Sequence, residues 1–214
     1  MDAPSTPESA ELLDVLDAFG RPTGARKPRA LVHREGLWHR TFHLWILSVH
    51  SGEPHVLMQR RSPHKDLEPG KLDVAVGGHL RSGEGVAAGL REVEEELGLT
   101  VSLGELRYLG CLSAARTYPH ATDREFQETY LLRRDAPLAS YTPHPGEVSA
   151  LYALPLAGAV ALYGRGTPLR VSGVDAAGRA LAAQLTPADL IAPAREGVLE
   201  VLRRLQTLWA ASGA

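Results

Sequence analysis

The sequence has little that would place it in an oxidising compartment or in a membrane. Its 214 residues include a single cysteine, Cys111, so no disulfide can form within the chain and no multi-cysteine metal site is available. The chain contains no run of about 18 apolar residues, the length needed to span a bilayer. The acidic, polar first nine residues do not resemble a signal peptide. These absences predict a cytoplasmic protein with no membrane partner.

The chain also lacks an excess of charge of either sign. Lysine and arginine together number 23 and aspartate and glutamate 25, which gives a formal net charge of −2 at pH 7. A partner that binds by charge alone, such as nucleic acid, is therefore not indicated. The apolar fraction of 44% and the charged fraction of 22% are those of an ordinary globular protein that buries one substantial core.

The stretch from residue 77 to residue 99 is the most informative part of the chain, because its second half predicts a short amphipathic helix. Apolar residues recur there at spacings of four, three and four, which places them on one stripe facing a core: Val86, Leu90, Val93 and Leu97. Gly98 follows the last turn, where a left-handed residue ends many helices. Three glutamates share another face of this helix: Glu92, Glu95 and Glu96.

The position of these glutamates predicts a bound cation. Carboxylates at the C-terminal end of a helix meet the negative end of its dipole, at a cost of about 0.3–1 kcal/mol each when exposed, and like charges four residues apart repel each other. A cation removes both penalties, and clustered carboxylate oxygens suit Mg²⁺ or Mn²⁺. The alternative is a solvated acidic face, but such a face would carry interspersed basic residues, and Arg91 alone is basic in this turn.

The stretch resembles the Nudix box, whose pattern is Gly, any five, Glu, any seven, Arg-Glu, apolar, any, Glu-Glu, any, Gly, apolar. Residues 78–84 match its first half, and residues 91–99 match its second half at every position. Six residues join the halves where the pattern has seven. Because a deletion inside a helix would rotate all that follows by about 100°, we expect the turn at Gly83 and Gly85 to absorb the gap, which leaves the role of Glu84 open.

The resemblance implies a Mg²⁺-dependent (or Mn²⁺-dependent) hydrolase that cleaves the diphosphate bond of a nucleoside diphosphate derivative or another small diphosphate, by attack of a metal-activated water. The implied metal ligands are Glu92, Glu95, Glu96 and the carbonyl of Gly78. Arg91, four residues before Glu95, would orient the catalytic carboxylate of Glu95. The partner is then a small-molecule diphosphate, and the frequent dimers of the family leave a homodimer open.

Flanking motifs look like those of Nudix proteins related to isopentenyl-diphosphate isomerase, over about residues 11–155. In the isomerases, histidines near His33, His39 and His79 help to hold a metal, and a cysteine precedes the Gly-His pair. Gly77 stands in that place here and cannot transfer a proton to carbon. Hydrolysis is therefore favoured, while an isomerase and a non-catalytic nucleotide-binding sensor remain the alternatives.

Residues outside the box are predicted to complete the site. Glu128 is the first candidate for the general base, because it aligns with a metal-site glutamate of the isomerases, and Glu125 and Glu147 follow. The predicted substrate-binding residues are Arg60, Lys65 and His79. Since neighbouring residues of a strand point to opposite faces, at most one of Arg60 and Arg61 is expected to reach the pocket.

The order of the predicted elements indicates an α/β (α+β) fold. Seven strands are predicted at residues 11–17, 38–49, 56–61, 72–76, 103–114, 125–133 and 148–154. A small N-terminal hairpin, a second hairpin of residues 167–173 and 179–185, a helical start at Pro187 and a closing helix at 194–209 complete the chain. The resemblance implies a Nudix-type α/β/α sandwich around a mixed sheet. We expect a mobile segment 1–10 and one domain, residues 11–214, with its core at about 38–160.

Overall fold

The computed structural model describes residues 11–211, so the predicted mobile segment 1–10 lies outside the described residues. Within that range, eleven strands form one sheet and four α-helices accompany it. The strands are β1 (Leu12–Leu16), β2 (Pro22–Pro28), β3 (Trp38–His50), β4 (Glu53–Arg61), β5 (Leu72–Val74), β6 (Val76–His79), β7 (Arg107–Tyr118), β8 (Ala121–Arg133), β9 (Val148–Pro155), β10 (Leu169–Asp175) and β11 (Ala180–Leu185). The helices are α1 (Arg29–Glu35), α2 (Leu90–Leu97), α3 (Leu156–Arg165) and α4 (Arg195–Ala211). The predicted α+β class is confirmed.

Strand β3 is the centre of the sheet. Every residue from position 41 to position 48 is buried, as expected for a run of branched and aromatic residues that is covered on both faces. β3 pairs antiparallel with β4 and β6 and parallel with β8, which makes the sheet mixed. The main path of the sheet runs β11-β10-β9-β4-β3-β1-β2.

The side chains of β3 alternate between two faces of the sheet and meet a different core on each. Phe42 and Leu44 pack with Val93 of α2 in one core. Trp45 points the other way and packs in a second core with residues of α3 and α4. His39 lies on the same face as Trp45, nearer the start of the strand. We call the face of the sheet that carries His39 and Trp45 the cavity face, because a cavity opens on it. The opposite face, against which α2 packs, is the α2 face.

The ends of the chain fold largely as predicted. β1 pairs with β2 and β10 pairs with β11, so both expected hairpins are present. Helix α4 covers the predicted closing helix to within two residues at each end. A 3-10 turn starts at Pro187, where Thr186 and Asp189 form a reciprocal capping box. The helical start predicted at Pro187 is therefore confirmed.

Two helices were not predicted, and both lack the local signals that mark a helix start. α1 follows Pro28 and α3 follows Pro155; neither proline can supply a side-chain cap, and neither helix has an acidic residue in its first turn. Two strand predictions are also corrected. The segment 72–76 is split, because β5 pairs with β4 whereas β6 pairs with β3. β7 begins at Arg107 rather than at 103, because a capped 3-10 turn precedes it.

The short connection before α2 is a 3-10 turn, Val86–Gly89, and not part of the α-helix. A 3-10 helix rises about 2.0 Å per residue against about 1.5 Å for an α-helix. Four such residues therefore cover the axial length of about five α-helical ones. Gly89 ends this turn so close to β3 that a Cβ atom there would lie 2.5 Å from Cγ of Phe42. The missing residue is thus absorbed in the 3-10 turn, after the glycines where it was expected.

Candidate active site

A cavity of about 950 Å³ opens on the cavity face, within the size range of small-molecule sites. Its walls are formed by the N-terminal hairpin, by β3 and β6, by the end of β4 and by the first half of β8. Helix α2 contributes its glutamates. Acidic, basic and imidazole groups line most of it, and its few apolar lining residues are Leu12, Leu67 and Ile191. The cavity therefore suits a charged, hydrophilic molecule.

Gly78 and Glu92 fix the geometry at one side of this cavity. A Cβ atom at Gly78 would lie 2.2 Å from Cγ of Glu92, so the glutamate side chain occupies the space that a side chain at position 78 would fill. Gly78 lies on β6, which pairs with β3 at Phe42. Gly78 and Glu92 therefore lie next to each other, and a side chain at position 78 would displace that of Glu92.

Glu96 is the most deeply buried of the three glutamates. One of its carboxylate oxygens accepts a hydrogen bond from the Gln59 side chain at 2.8 Å. Burial, together with the charge of Glu92, raises the pKa of Glu96 well above its usual value. Burial also raises the pKa of Glu92 to about 7, although Arg91 opposes this shift. Two carboxylates that are this poorly solvated require a positive partner to be charged at neutral pH.

Arg91 connects the carboxylates at the rim of the cavity. Its Nη1 atom donates to Glu92 at 2.8 Å and to Glu95 at 3.3 Å, and its Nη2 atom donates to Glu84 at 3.4 Å. The contact with Glu95 is the predicted i,i+4 pair. Glu84, whose role the sequence left open, also accepts a hydrogen bond from the backbone N–H of Arg81. Glu84 is therefore held beside the glutamates of α2 despite the short connection.

The end of α2 has the geometry that its sequence predicts. Gly98 is left-handed with φ of 63°, and its backbone N–H donates to the carbonyl of Glu94 at 2.9 Å. Glu94 itself is exposed, whereas Glu96 is buried, as the helical spacing requires. The poorly solvated carboxylates of α2, one of which packs against Gly78 where a Cβ atom is absent, offer the oxygen ligands that a hard divalent cation prefers.

Three histidines meet on the cavity face beside the carboxylates. Nε2 of His33 lies 3.2 Å from Nε2 of His79, so at least one of the two nitrogens carries no proton. His39 donates its Nδ1 proton to the carbonyl of Leu37, and its buried Nε2 atom has no hydrogen-bond partner among the described residues. Ligand atoms of the three histidines lie within 4.8 Å of one another. Burial lowers the pKa of His39 and His79, which keeps their lone pairs available to a metal.

A buried ion cluster stands next to the histidines. Arg116 contacts Asp123 at 3.2 Å and Glu125 at 3.0 Å, and all three side chains are largely buried. Burial and the neighbouring Glu125 raise the pKa of Asp123 to about 7. Burial alone would also raise the pKa of Glu125, but Arg116 and the nearby His43 and His39 outweigh it and hold that pKa low. Asp123 and Glu125, with His39, form a second set of groups that can hold a metal.

The structure separates the basic residues of β4. Arg61 and Lys65 line the cavity, where Arg61 contacts Asp73 at 2.9 Å and Lys65 contacts Glu147. Arg60 points away from the cavity and donates to Asp189 at 2.9 Å and to the carbonyl of Gly70 at 2.8 Å. The prediction that at most one of Arg60 and Arg61 reaches the pocket is confirmed. Arg60 as a substrate-binding residue is wrong, because its guanidinium is committed to the 187–189 turn.

Glu128 does not line the cavity. In the parallel register of β3 and β8 it lies opposite Phe42, so it points to the α2 face, whereas Glu125 lies opposite His39 on the cavity face. Its carboxylate accepts hydrogen bonds from Arg40 at 2.8 Å and from the Tyr108 hydroxyl at 2.9 Å. The assignment of Glu128 as the general base is therefore corrected.

Gln59 and Arg116 are among the site residues that were not predicted. Gln59, which holds Glu96, stands in the sequence directly before Arg60 and Arg61, at the end of the apolar part of its strand. Arg116, which neutralises the buried acids, alternates regularly with exposed neighbours on β7 and carries no local signal.

The comparisons with known proteins agree with this geometry. The sequence model of the NUDIX domain family matches residues 38–168. An uncharacterised Nudix hydrolase of Clostridium acetobutylicum is 38% identical over 66% of this chain and 68% of its own length. Nudix hydrolase 3 of Arabidopsis thaliana is 34% identical over 68% of this chain, but that segment is 19% of the plant protein.

None of the helices within the described residues is long and apolar enough to cross a membrane.

Solved structures show the same fold. A crystal structure from Deinococcus radiodurans covers 91% of this chain and 98% of its own, with a TM-score of 0.57 and 24% identity. A MutT protein from Methanosarcina mazei covers 79% of this chain and 95% of its own, with a TM-score of 0.51 and 17% identity. From the matched domain and the shared sequence, the chain belongs to the Nudix family and is a hydrolase that acts on pyrophosphate bonds.

Proposed function

We propose that this protein is a Mg²⁺- or Mn²⁺-dependent hydrolase of a hydrophilic nucleoside diphosphate derivative or other small diphosphate. The observation that carries the proposal is a pair of poorly solvated carboxylates: Glu96 is buried, and Glu92, whose side chain is 13% exposed, packs against Gly78. Charged carboxylates in such a place are stable only beside a cation. The predicted cytoplasmic location and homodimer stay predictions.

The cation would be held by Glu92 and Glu96, with the carbonyl of Gly78 and the carboxylate of Glu95. When bound, it lowers the pKa of water and draws charge from the phosphate oxygens. Glu95 is 51% exposed, the most accessible of the three glutamates, and Arg91 holds one of its oxygens. We propose that the Glu95 carboxylate, rather than that of Glu128, accepts the proton of the attacking water as the general base.

The substrate phosphates would lie between the glutamates and the basic wall of the cavity. Lys65 and Arg61 are both largely buried there, and each is paired with a carboxylate, Glu147 or Asp73. Phosphate oxygens can take up further N–H donors of these groups. His79, which lines the same cavity, stays a predicted substrate-binding residue. A cavity of about 950 Å³ has room for more than a diphosphate alone, so a leaving group is bound as well.

The proposal is tested by phosphate release from a panel of nucleoside diphosphate conjugates, dinucleoside polyphosphates and prenyl diphosphates with Mg²⁺ or Mn²⁺. Products are coupled to a phosphatase, and the wild type is compared with Glu96→Gln. We expect the variant to lose at least about 100-fold in kcat, because a ligand carboxylate becomes neutral while its size is kept. Glu94→Gln, an exposed neighbour on the same helix, is the matched control. Equal activity of the wild type and Glu96→Gln would contradict the proposal.

A second candidate is an isomerase-type proton transfer on a small isoprenoid diphosphate. It is favoured by the meeting of His33, His39 and His79, the histidines that the resemblance associates with that reaction. Gly77 argues against an isomerase, because glycine has no side chain that could donate a proton. Incubation of isopentenyl diphosphate in D₂O, followed by NMR, separates the two: deuterium in the carbon skeleton indicates the isomerase, and phosphate release indicates the hydrolase. Binding without either reaction indicates the sensor.

The two basic residues of the end of β4 and its loop are expected to differ in kinetic effect. Lys65→Met removes a buried charge from the cavity wall, so KM should rise about tenfold or more, as for the loss of a charge-assisted contact to phosphate. Arg60→Met is the matched control: it removes a contact with Asp189 outside the cavity, so KM should stay within about twofold while the melting temperature falls. Steady-state kinetics on the substrate found in the panel measures both. A larger rise in KM for Arg60→Met would contradict the placement of the substrate.

A further inference from the structure

The N-terminal hairpin of β1 and β2 lies before the segment that matches the NUDIX domain, which starts at residue 38. β1 joins the sheet at a single residue pair, Leu16 with Trp38. The hairpin holds the loop that carries the end of the first half of the Nudix box, residues 81–84, which we call the box turn.

Asp14 of β1 is the main contact between the hairpin and the box turn. Its Oδ1 atom accepts a hydrogen bond from the Ser82 hydroxyl at 2.7 Å, and its Oδ2 atom accepts one from the backbone N–H of Gly83 at 2.8 Å. Two further contacts run beside it. The carbonyl of Leu12 accepts from the backbone N–H of Ser82 at 2.8 Å, and Glu11 accepts from Nε of Arg81 at 3.0 Å.

The box turn leads directly to the catalytic groups. Gly83 has a φ of 79°, a conformation that favours glycine, and the N–H held by Asp14 belongs to this residue. Glu84, the next residue, contacts Arg91 at 3.4 Å. Arg91 in turn contacts Glu92 and Glu95. A shift of the turn would therefore move Glu84 and release one of the contacts that orient Arg91.

The short connection after the box turn makes an outside support necessary. The 3-10 turn Val86–Gly89 is already extended relative to an α-helix, and Gly89 packs against Phe42 with no space for a Cβ atom. The connection thus has no spare residue with which to correct a displaced turn. Gly83 and Gly85, the two glycines within and after the turn, add conformational freedom that must be restricted from outside.

We propose that Asp14 is a positioning residue that holds the box turn through Ser82 and Gly83 and thereby keeps Arg91 and the ligand carboxylates of α2 in their working geometry. The inference rests on the proposed function, because the carboxylates matter only if they hold a cation. It makes the N-terminal hairpin part of the active site, although the family domain begins after it.

The test compares Asp14→Ala with Asp17→Ala. Asp17 lies in the turn of the same hairpin, where Oδ1 accepts from the backbone N–H groups of Phe19 and Arg21 at 2.8 and 2.9 Å and does not touch the box turn. Three quantities are measured on each full-length variant: the Mn²⁺ dissociation constant by electron paramagnetic resonance, amide hydrogen exchange in the peptide that contains Gly83, and kcat and KM on the panel substrate. Asp14→Asn, which keeps one acceptor oxygen, and Ser82→Ala, a milder change, are tested alongside.

For Asp14→Ala we expect kcat to fall by about 10- to 100-fold, since a displacement of about 1 Å at catalytic groups costs this much. The Mn²⁺ dissociation constant should rise, exchange around Gly83 should accelerate, and KM should change less than kcat. Asp14→Asn should recover part of the loss, and Ser82→Ala should show a smaller loss of the same kind. Asp17→Ala should leave kcat and Mn²⁺ binding within about twofold, even where it lowers the melting temperature.

The inference is overturned if Asp14→Ala keeps the wild-type kcat and Mn²⁺ affinity, or if Asp17→Ala loses as much of both. If Asp14→Ala fails to fold, unchanged Mn²⁺ affinity and kcat in Ser82→Ala overturn it equally. Mn²⁺ binding and hydrogen exchange need no substrate. A wild type without hydrolysis would therefore count against the proposed function, while these two measurements would still decide the role of Asp14.

Discussion

Replacing Gly78 by alanine is expected to abolish hydrolysis while leaving the fold intact. The new Cβ atom would lie 2.2 Å from Cγ, 2.3 Å from Cδ and 2.6 Å from Oε2 of Glu92, distances at which atoms cannot coexist. Because Glu92 is the flexible partner, its carboxylate would be pushed out of the cavity rather than β6 out of the sheet. We expect kcat to fall by about 1,000-fold or more, and the Mn²⁺ dissociation constant to rise, since the change displaces a carboxylate that we propose as a metal ligand.

Gly77→Ala is the matched control for this prediction. A Cβ atom at Gly77 would meet Cγ2 of Val74 at 3.7 Å and Nε2 of His43 at 3.8 Å, which are ordinary contact distances. We expect this variant to bind Mn²⁺ like the wild type and to keep kcat within about fivefold. Circular dichroism melting curves of both variants verify the fold. Full activity of Gly78→Ala, or equal losses in the two variants, would show that Glu92 does not depend on the space at position 78.

Replacing Arg116 by methionine is expected to lower the free energy of unfolding by about 3–5 kcal/mol at pH 7, because it leaves buried carboxylates without their positive partner. Arg116 is the contact common to Asp123 and Glu125, at 3.2 and 3.0 Å. Methionine keeps the apolar length of the side chain, so the loss reports charge rather than packing. Urea unfolding followed by circular dichroism measures it, and Arg124→Met, an exposed arginine on β8, is the control.

The pH dependence of this loss has a definite sign. Without Arg116, the folded-state pKa values of Asp123 and Glu125 would rise, since the largest of the charges that oppose the effect of burial would be lost. The folded variant would then bind more protons than the unfolded chain, so its stability would fall as the pH rises. The deficit relative to the wild type should therefore shrink between pH 7 and pH 5. A deficit that is constant over this range, or one that grows, would contradict the assignment to unpaired carboxylates.

The parts of the site that lie within one helix could be predicted from the sequence. The 3.6-residue period places Glu92, Glu95 and Glu96 together without any knowledge of the tertiary fold, and the left-handed Gly98 ends the helix as expected. Strand alternation gave the correct statement that Arg60 and Arg61 diverge. It could not say which of them enters the cavity, because that depends on which face of β4 is turned toward the site.

The contributions of distant strands could not be obtained in this way. Glu125 and Glu128 lie three residues apart on one strand, and only the parallel register with β3 shows that the first faces His39 and the second Phe42. Resemblance alone favoured Glu128, which does not line the cavity. The pairing of Gln59 with Glu96 joins positions 37 residues apart, and no local pattern encodes it. The histidines were recognised as a group by resemblance, and their convergence depends on α1, a helix with no capping signal in the sequence.

The 3-10 turn before α2 has a consequence for how relatives of this protein are recognised. A search that demands seven residues between the two halves of the box would reject this chain, which has six there, although its α2 still carries Glu92 against Gly78. A one-residue deletion is thus tolerated in the segment before α2. Inside α2 it would not be, because a single deletion there turns every later side chain by about 100° about the helix axis. Chains with the shorter spacing should carry a small residue where Gly89 meets Phe42, so spacing and residue choice would vary together in evolution.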